Sequence, residues 1–302
     1  MKFSFKAVLL AAAVASTMAV SSAYAADKTI GVSLLNKSHV FFNNIEAAIM
    51  KRADELGYKV ISQDAAGDAN KQIGQVQDFI TQDVDAIVLS PTNSAGSKSM
   101  IELASKANIP VFTMDIKSDG IAVSHVATDN YKGGELAAQY VADKILPEKK
   151  GNVVVITYSE IESCVQREKG FSDWLAKNTP DIKVIDVQNY SGDQQKAADV
   201  MQNMLLKHEK IDAVFCVGDP AAIGALASIS AAGADVAIIG FDGNPEGIQA
   251  IKAGGLWKAD VAQDPSAIGT KTIDAVNDYL NGKKVDPEYP ISPYIIDASN
   301  AK

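Results

Sequence analysis

Val111-Phe112-Thr113-Met114-Asp115 and, 127 residues later, Ile238-Ile239-Gly240-Phe241-Asp242 are two apolar runs that each end on an aspartate. A second pair shares the offset: Asp85-Ala86-Ile87-Val88 recurs 127 residues on as Asp212-Ala213-Val214-Phe215. Short apolar runs without polar alternation suit strands covered on both faces, as in a parallel sheet. Two matches at one offset imply two domains of one topology.

Working outward, strands are expected over 29–35, 58–62, 85–89 and 111–114, separated by helices over 42–56, 72–82 and 98–107. The first of these helices places Ile45, Ala48, Ile49 and Ala53 at helical spacing. A second series has helices over 133–145, 166–177, 195–207 and 221–232, with strands over 153–157, 183–187, 213–217 and 236–241. Such alternation implies right-handed βαβ units and an α/β, doubly wound parallel-sheet fold. Asp219-Pro220, Asn244-Pro245 and Asp264-Pro265 each set a capping residue before proline, the usual start of a helix. The remainder holds a helix over 267–280 and a strand over 290–296, too little for a third domain.

The chain has 302 residues, which suits two domains. With 47% hydrophobic and 22% charged residues, disorder and fibrous repeats are excluded. A net charge of −9 leaves no broad basic surface for nucleic acid. Residues 1–25 read as a cleaved secretory signal: Lys2 and Lys6, an apolar stretch over 7–20, then Ala23-Tyr24-Ala25. The apolar stretch is short for a membrane span, and no lipobox cysteine follows. Export to a periplasm is therefore expected, for a mature chain with 26 basic and 37 acidic residues.

No G-x-S-x-G elbow, H-E-x-x-H, Walker loop or G-x-G-x-x-G appears. His39, His125 and His208 lie far apart without metal-ligand spacing, so no catalytic, metal or cofactor site is expected. Cys164 and Cys216 admit two readings in an exported protein, a disulfide or two buried thiols. Asp115 and Asp242 are the informative positions, because open α/β sheets bind ligands at the carboxyl ends of their strands. Two carboxylates facing one cleft suit the paired donors of vicinal hydroxyls. Phe41-Phe42 opens the first helix, where one ring can pack in the core and the other face a sugar ring. Arg167 opens the helix after the 153–157 strand, where its planar fork can grip ligand oxygens.

Several strings then carry a resemblance. They are Phe41-Phe42, Ser90-Pro91-Thr92, Ala107-Asn108-Ile109-Pro110-Val111, Met114-Asp115, Ser124-His125-Val126-Ala127-Thr128-Asp129-Asn130 and Arg167-Glu168-Lys169-Gly170-Phe171. Val200-Met201-Gln202-Asn203, Gly240-Phe241-Asp242-Gly243 and Ala262-Gln263 continue the series. In order and spacing the whole mature chain resembles the ribose-type periplasmic binding proteins that feed ABC transporters. The resemblance implies a bilobal protein with a monosaccharide between its lobes and hinge crossings near 128–130, Gln263 and Ile291. The lobes would comprise 26–128 with 264–291, and 129–263 with 292–302. Phe41 and Phe42 match the pocket aromatics; Asp115, Arg167, Asp242 and Gln263 match the polar contacts to ring hydroxyls. The implied partners are a small sugar or polyol and a membrane permease, for a protein acting as a monomer.

Departures from the family pattern fall on the same surroundings. His39 and Ser90 stand where ribose binders carry asparagines, Ile116 replaces an arginine, and Gly218 replaces an asparagine before Asp219. No aromatic aligns at Gly192, with Tyr190 close enough to fill the space. Unpaired buried polar groups cost about 1–3 kcal/mol each, so a sugar or sugar alcohol other than ribose is expected. Two other classes stand beside transport. One is a sensor that delivers ligand to a chemoreceptor or signalling receptor. The other is a glycosidase using Asp115 and Asp242 as acid and base, for which no hydrophobic seat for a protonated acid is visible.

Overall fold

The computed structural model describes residues 28–302; the 1–25 segment lies outside them. Along the chain run β1 (Thr29–Leu34), α1 (Val40–Glu55), β2 (Lys59–Asp64), α2 (Ala69–Thr81), β3 (Ala86–Leu89), α3 (Lys98–Lys106), β4 (Val111–Met114) and β5 (Ser124–Thr128). There follow α4 (Asn130–Tyr140), β6 (Gly151–Thr157), α5 (Glu162–Asn178), β7 (Ile182–Asn189), α6 (Gln194–Lys207) and β8 (Ala213–Cys216). The remainder is α7 (Asp219–Ala232), β9 (Ala237–Asp242), α8 (Pro245–Lys252), β10 (Trp257–Ala262), α9 (Pro265–Leu280), β11 (Glu288–Ile291) and β12 (Tyr294–Asp297).

Two six-stranded sheets result, ordered β2-β1-β3-β4-β5-β11 and β7-β6-β8-β9-β10-β12. The orders are the same once β6–β10 are set against β1–β5. Register repeats too: Ile87 pairs with Val111 across β3 and β4, and Val214 with Ile238 across β8 and β9, each residue displaced by 127. All described pairings are parallel except β10 with β12. The chain passes between the sheets after β5, after β10 and between β11 and β12. Helix α9 returns to pack on α1, β4 and β5 of the first sheet, which is why the tail forms no domain of its own.

Helix ends differ in instructive places from the sequence reading. The helix expected over 133–145 starts at Asn130, capped by Asp129, and passes into a π-helical turn at Val141–Ile145. Asp264 caps α9 through the Ala267 N–H, as its pairing with proline predicts. Asp219 does not cap α7. Gly218 is the cap residue, and Asp219 turns inward to accept the Asn244 N–H at 2.8 Å.

The α4–α5 crossing matters most for the site, because α5 carries Arg167. A Cβ on Gly134 would lie 2.0 Å from the Arg167 carbonyl oxygen, and one on Gly170 would lie 2.1 Å from that of Tyr131. Only glycine at both positions lets the two backbones touch. That contact, with Phe171 stacked on Phe215 at 4.6 Å between ring centroids, fixes where α5 begins.

Candidate ligand-binding site

The carboxyl ends of both sheets face a shared cavity of about 400 Å³. Asp115 follows β4 with φ +59°, and Asp242 ends β9 with φ +116°. Positive φ is costly for a residue with a side chain and persists only where surrounding structure holds it. At Asp115 the Ile116 N–H donates to Met114 O at 2.6 Å, closing a γ-turn, while the Asp115 N–H donates to Val126 O. The turn brings the Asp115 side chain to the cavity wall; its Oδ1 is buried and meets no protein donor. Burial pushes Asp115 up to about 7, with Arg167 pulling it down and Asp242 adding to the rise.

Asp242 is held by three donors. Its Oδ1 accepts from Arg167 Nη1 at 3.1 Å and Gln263 Nε2 at 2.7 Å; its Oδ2 accepts from the Asp219 N–H at 3.3 Å. Arg167, 4% exposed, also donates through Nε to Asn130 Oδ1 and through Nη1 to Val217 O, with its guanidinium 3.8 Å from the Phe241 ring centroid. Asn130 donates to Thr128 O, and Thr128 Oγ1 donates to Gln263 Oε1 at 2.6 Å. The bonds close into a ring that ties two inter-sheet crossings to Asp242. Charge-assisted members of such a ring are its strongest.

On the first lobe's wall, His39 is the N-cap of α1 and accepts the Phe41 N–H at Nδ1. A ring accepting at Nδ1 carries its proton on Nε2, and Nε2 lies 3.8 Å from Asp242 Oδ2 across the cavity. Phe41 and Phe42 are both buried, edge-to-face at 5.4 Å, and both reach the cavity, so the expected division between core and ligand does not hold. Ile116, Gly218 and Gln263 line it as well.

The sequence pattern of the periplasmic binding protein domain matches residues 30–284. The chain belongs to the ribose-type periplasmic sugar-binding family. It is 38% identical over 258 residues to the ribose import binding protein of Bacillus subtilis, covering 85% of this chain and 83% of that one. The Caulobacter myo-inositol binding protein bound to myo-inositol superposes with a TM-score of 0.84 at 29% identity, covering 92% and 95% of the two chains. An ABC transporter solute-binding protein of Actinobacillus succinogenes with bound D-allose gives 0.82 at 26% identity, covering 90% and 98%.

Within this periplasmic sugar-binding protein, one expected pocket residue stands apart. Ser90 does not line the cavity. It is fully buried behind β3, its N–H on Ser33 O and its carbonyl taken by Gln72 Nε2, in a polar cluster that includes Gln75. Thr92, two residues on, faces the cavity in its place. Tyr158, Ser163, Cys164 and Tyr190 line it too. Tyr158 directly follows β6 and Thr92 follows β3, so the strand-end rule that found the aspartates would have found both. Cys164 and Cys216 are free and buried, which settles the pair as reduced thiols; burial pushes Cys164 up to about 12, leaving it an inert wall group.

Beneath Asp242 lies a second acidic feature that spacing gave no hint of. Asp219 and Asp260 are 1% and 0% exposed. Both carboxyls face Gly247, where a Cβ would meet Asp260 Oδ2 at 2.6 Å and Asp219 Oδ1 at 3.2 Å. Burial raises both carboxyls and Asp242 adds to each rise; the contact between the two raises Asp219 further and lowers Asp260. No described helix is long and apolar enough to cross a membrane.

Proposed function

We propose that this protein is the exported, periplasmic component of an ABC importer that captures one monosaccharide or sugar alcohol and presents it to a membrane permease. The observation that carries the reading is Asp115, whose side chain lines the cavity with a buried Oδ1 that has no protein donor, opposite a carboxylate that already accepts three hydrogen bonds from the protein. A ligand hydroxyl is the donor it lacks. Phe41 and Phe42 give apolar ring faces to the C–H side of a sugar, and His39 Nε2–H and Arg167 supply donors. The lobes, 26–128 with 264–291 and 129–263 with 292–302, close over the ligand about the three crossings between the sheets. Contacts already joining the lobes, such as the Glu162 N–H on Ser94 Oγ at 3.2 Å, support closure as the bound-state geometry.

The role is binding rather than turnover. Asp242 already accepts from Arg167, Gln263 and the Asp219 amide, which supports an anchoring function over acid–base work. Ligand chemistry departs from ribose: Ile116 puts an alkyl group beside Asp115, and Gly218 opens the second lobe's wall. Calorimetric titration of ligand-stripped protein with pentoses, hexoses, pentitols and cyclitols tests the reading. One ligand should bind with Kd of about 0.1–10 μM, or about −7 to −9.5 kcal/mol. Hydrolysis of a bound glycoside at enzyme-like rates, or tightest binding of ribose, would overturn the corresponding part.

A further inference from the structure

One corner of the cavity is bounded by Gly218, Tyr190 and Asp242. A Cβ placed on Gly218 would lie 3.4 Å from Asp242 Oδ2 and 3.6 Å from the Tyr190 hydroxyl, ordinary contact distances, so a side chain would fit here and glycine leaves its place in the corner empty. The Tyr190 backbone is anchored at both ends, its N–H on Thr157 O and its carbonyl accepting the Asp193 N–H. Its ring meets Tyr158 edge-on at 5.6 Å. The phenol hydroxyl has no protein partner among the described residues, although the side chain is 4% exposed and lines the cavity. Position 192 cannot carry the aromatic instead. Gly192 has φ +77°, and a Cβ there would stand 2.8 Å from Tyr158 Cε1.

We propose that Tyr190 and Gly218 form a hydroxyl-reading corner that selects ligands with at least one hydroxyl group more than a pentose, namely a hexose or a cyclitol. The proposal rests on the sugar-binding reading and narrows it. Burial raises the Tyr190 phenol well above its ordinary value, so the hydroxyl keeps its proton and donates. Asp242 Oδ2 meets the Asp219 N–H at 3.3 Å and His39 Nε2 at 3.8 Å, which leaves it room to accept. A ligand hydroxyl placed between them accepts from Tyr190 and donates to Asp242. A pentose leaves that pair unmatched in a closed cavity, and sites built to hydrogen-bond a hydroxyl discriminate strongly against ligands lacking it.

The test uses matched sugars whose pyranose forms differ by a single CH2OH group: D-ribose with D-allose, L-arabinose with D-galactose, and D-xylose with D-glucose, together with myo-inositol. Each is titrated calorimetrically into the wild-type protein, Tyr190→Phe and Gly218→Asn, with thermal unfolding confirming that all three are folded. One hexose or myo-inositol should bind at least about tenfold tighter than any pentose, and Tyr190→Phe should remove about tenfold of that preference while leaving pentose affinity unchanged. Gly218→Asn, which fills the corner from an extended backbone, should cost the larger ligand more than the pentose. A pentose binding tightest, or Tyr190→Phe weakening both members of a pair equally, overturns the corner. If nothing in the panel binds the wild-type protein, the sugar-binding reading falls with it.

Discussion

Asp115 and Asp242 occupy equivalent places in two sheets of one topology, yet their surroundings are opposites. Both follow an apolar strand, both have positive φ, and both reach the same cavity. Asp242 accepts two side-chain donors and a backbone N–H; Asp115 Oδ1 accepts none from the protein. A repeated backbone has thus been given two electrostatic roles. The second lobe holds a carboxylate satisfied by its own scaffold, which fixes Arg167 and Gln263 in place. The first lobe holds one without a protein donor on Oδ1, which the proposed function assigns to a ligand hydroxyl. Duplication supplies the geometry, and side chains near each strand end decide which aspartate is anchored.

The largest effect should come from breaking the anchored side. Asp242→Ala leaves the Arg167 guanidinium buried without its carboxylate, which typically costs about 3–5 kcal/mol. Denaturant unfolding should show that loss, and titration should detect no ligand binding. Arg167→Lys should bind poorly for a related reason, since an ammonium cannot hold Asn130, Val217 O and Asp242 together.

Asp115→Asn sharpens the contrast, because it should abolish or greatly weaken binding while raising stability. Asparagine tolerates the left-handed backbone at this position. An acid whose folded pKa, about 7, exceeds the unfolded value of about 4 keeps its proton longer when folded. Stability therefore falls as pH rises through that window, and the neutral amide escapes the loss. A gain of about 1–3 kcal/mol in the ligand-free protein at about pH 8 is expected. Destabilisation as large as that of Asp242→Ala would erase the distinction between the two sites.

How much of this was legible beforehand follows from which interactions are local. The 127-residue offset announced two lobes and both aspartates, because apolar strands and their ends are written in consecutive residues. Nine of the ten expected pocket residues line the cavity. Ser90 fails because its environment is set by Gln72 and Ser33, which only the folded sheet brings to it. Asp219, set before Pro220, has the residue type of a helix cap. Asp260, 41 positions away, joins it beneath Gly247, a relation no local pattern encodes. His39 hid its role for the opposite reason: histidine is an uncommon N-cap, so its position invited a purely ligand-facing reading.

A smaller effect should appear in the pH dependence of affinity. Ligand hydroxyls donate to an ionised Asp115, whereas the empty site holds a proton below about 7. Binding below that value must first release the proton, so affinity should fall about tenfold between about pH 8 and pH 6. His39 shares the cavity, so His39→Asn, which retains capping ability, identifies the responsible group. The slope should survive in that variant. A flat profile there would overturn Asp115 as the source of the pH dependence.

The smallest effect should come from the buried pair under Asp242, and it should concern stability. Burial, with Asp242 nearby, holds Asp260 up to about 8 and Asp219 well above its ordinary value, against about 4 for either in the unfolded chain. Below about pH 4 both states are protonated and the pair imposes no ionic penalty. As pH rises towards 8, the unfolded chain sheds protons that the folded lobe retains, and stability declines. Asp260→Asn keeps the shape and removes one of the two charges, so it should raise Tm in alkaline buffer and do little in acid. About 1 kcal/mol at about pH 9, fading towards pH 5, is the expected gain, read from thermal unfolding across the range. Because Asp242 contributes to the raised state of both carboxyls, the same substitution in the Asp242→Ala background should give a smaller gain. Equal gains in both backgrounds would mean that the pair is electrostatically independent of the anchored carboxylate above it.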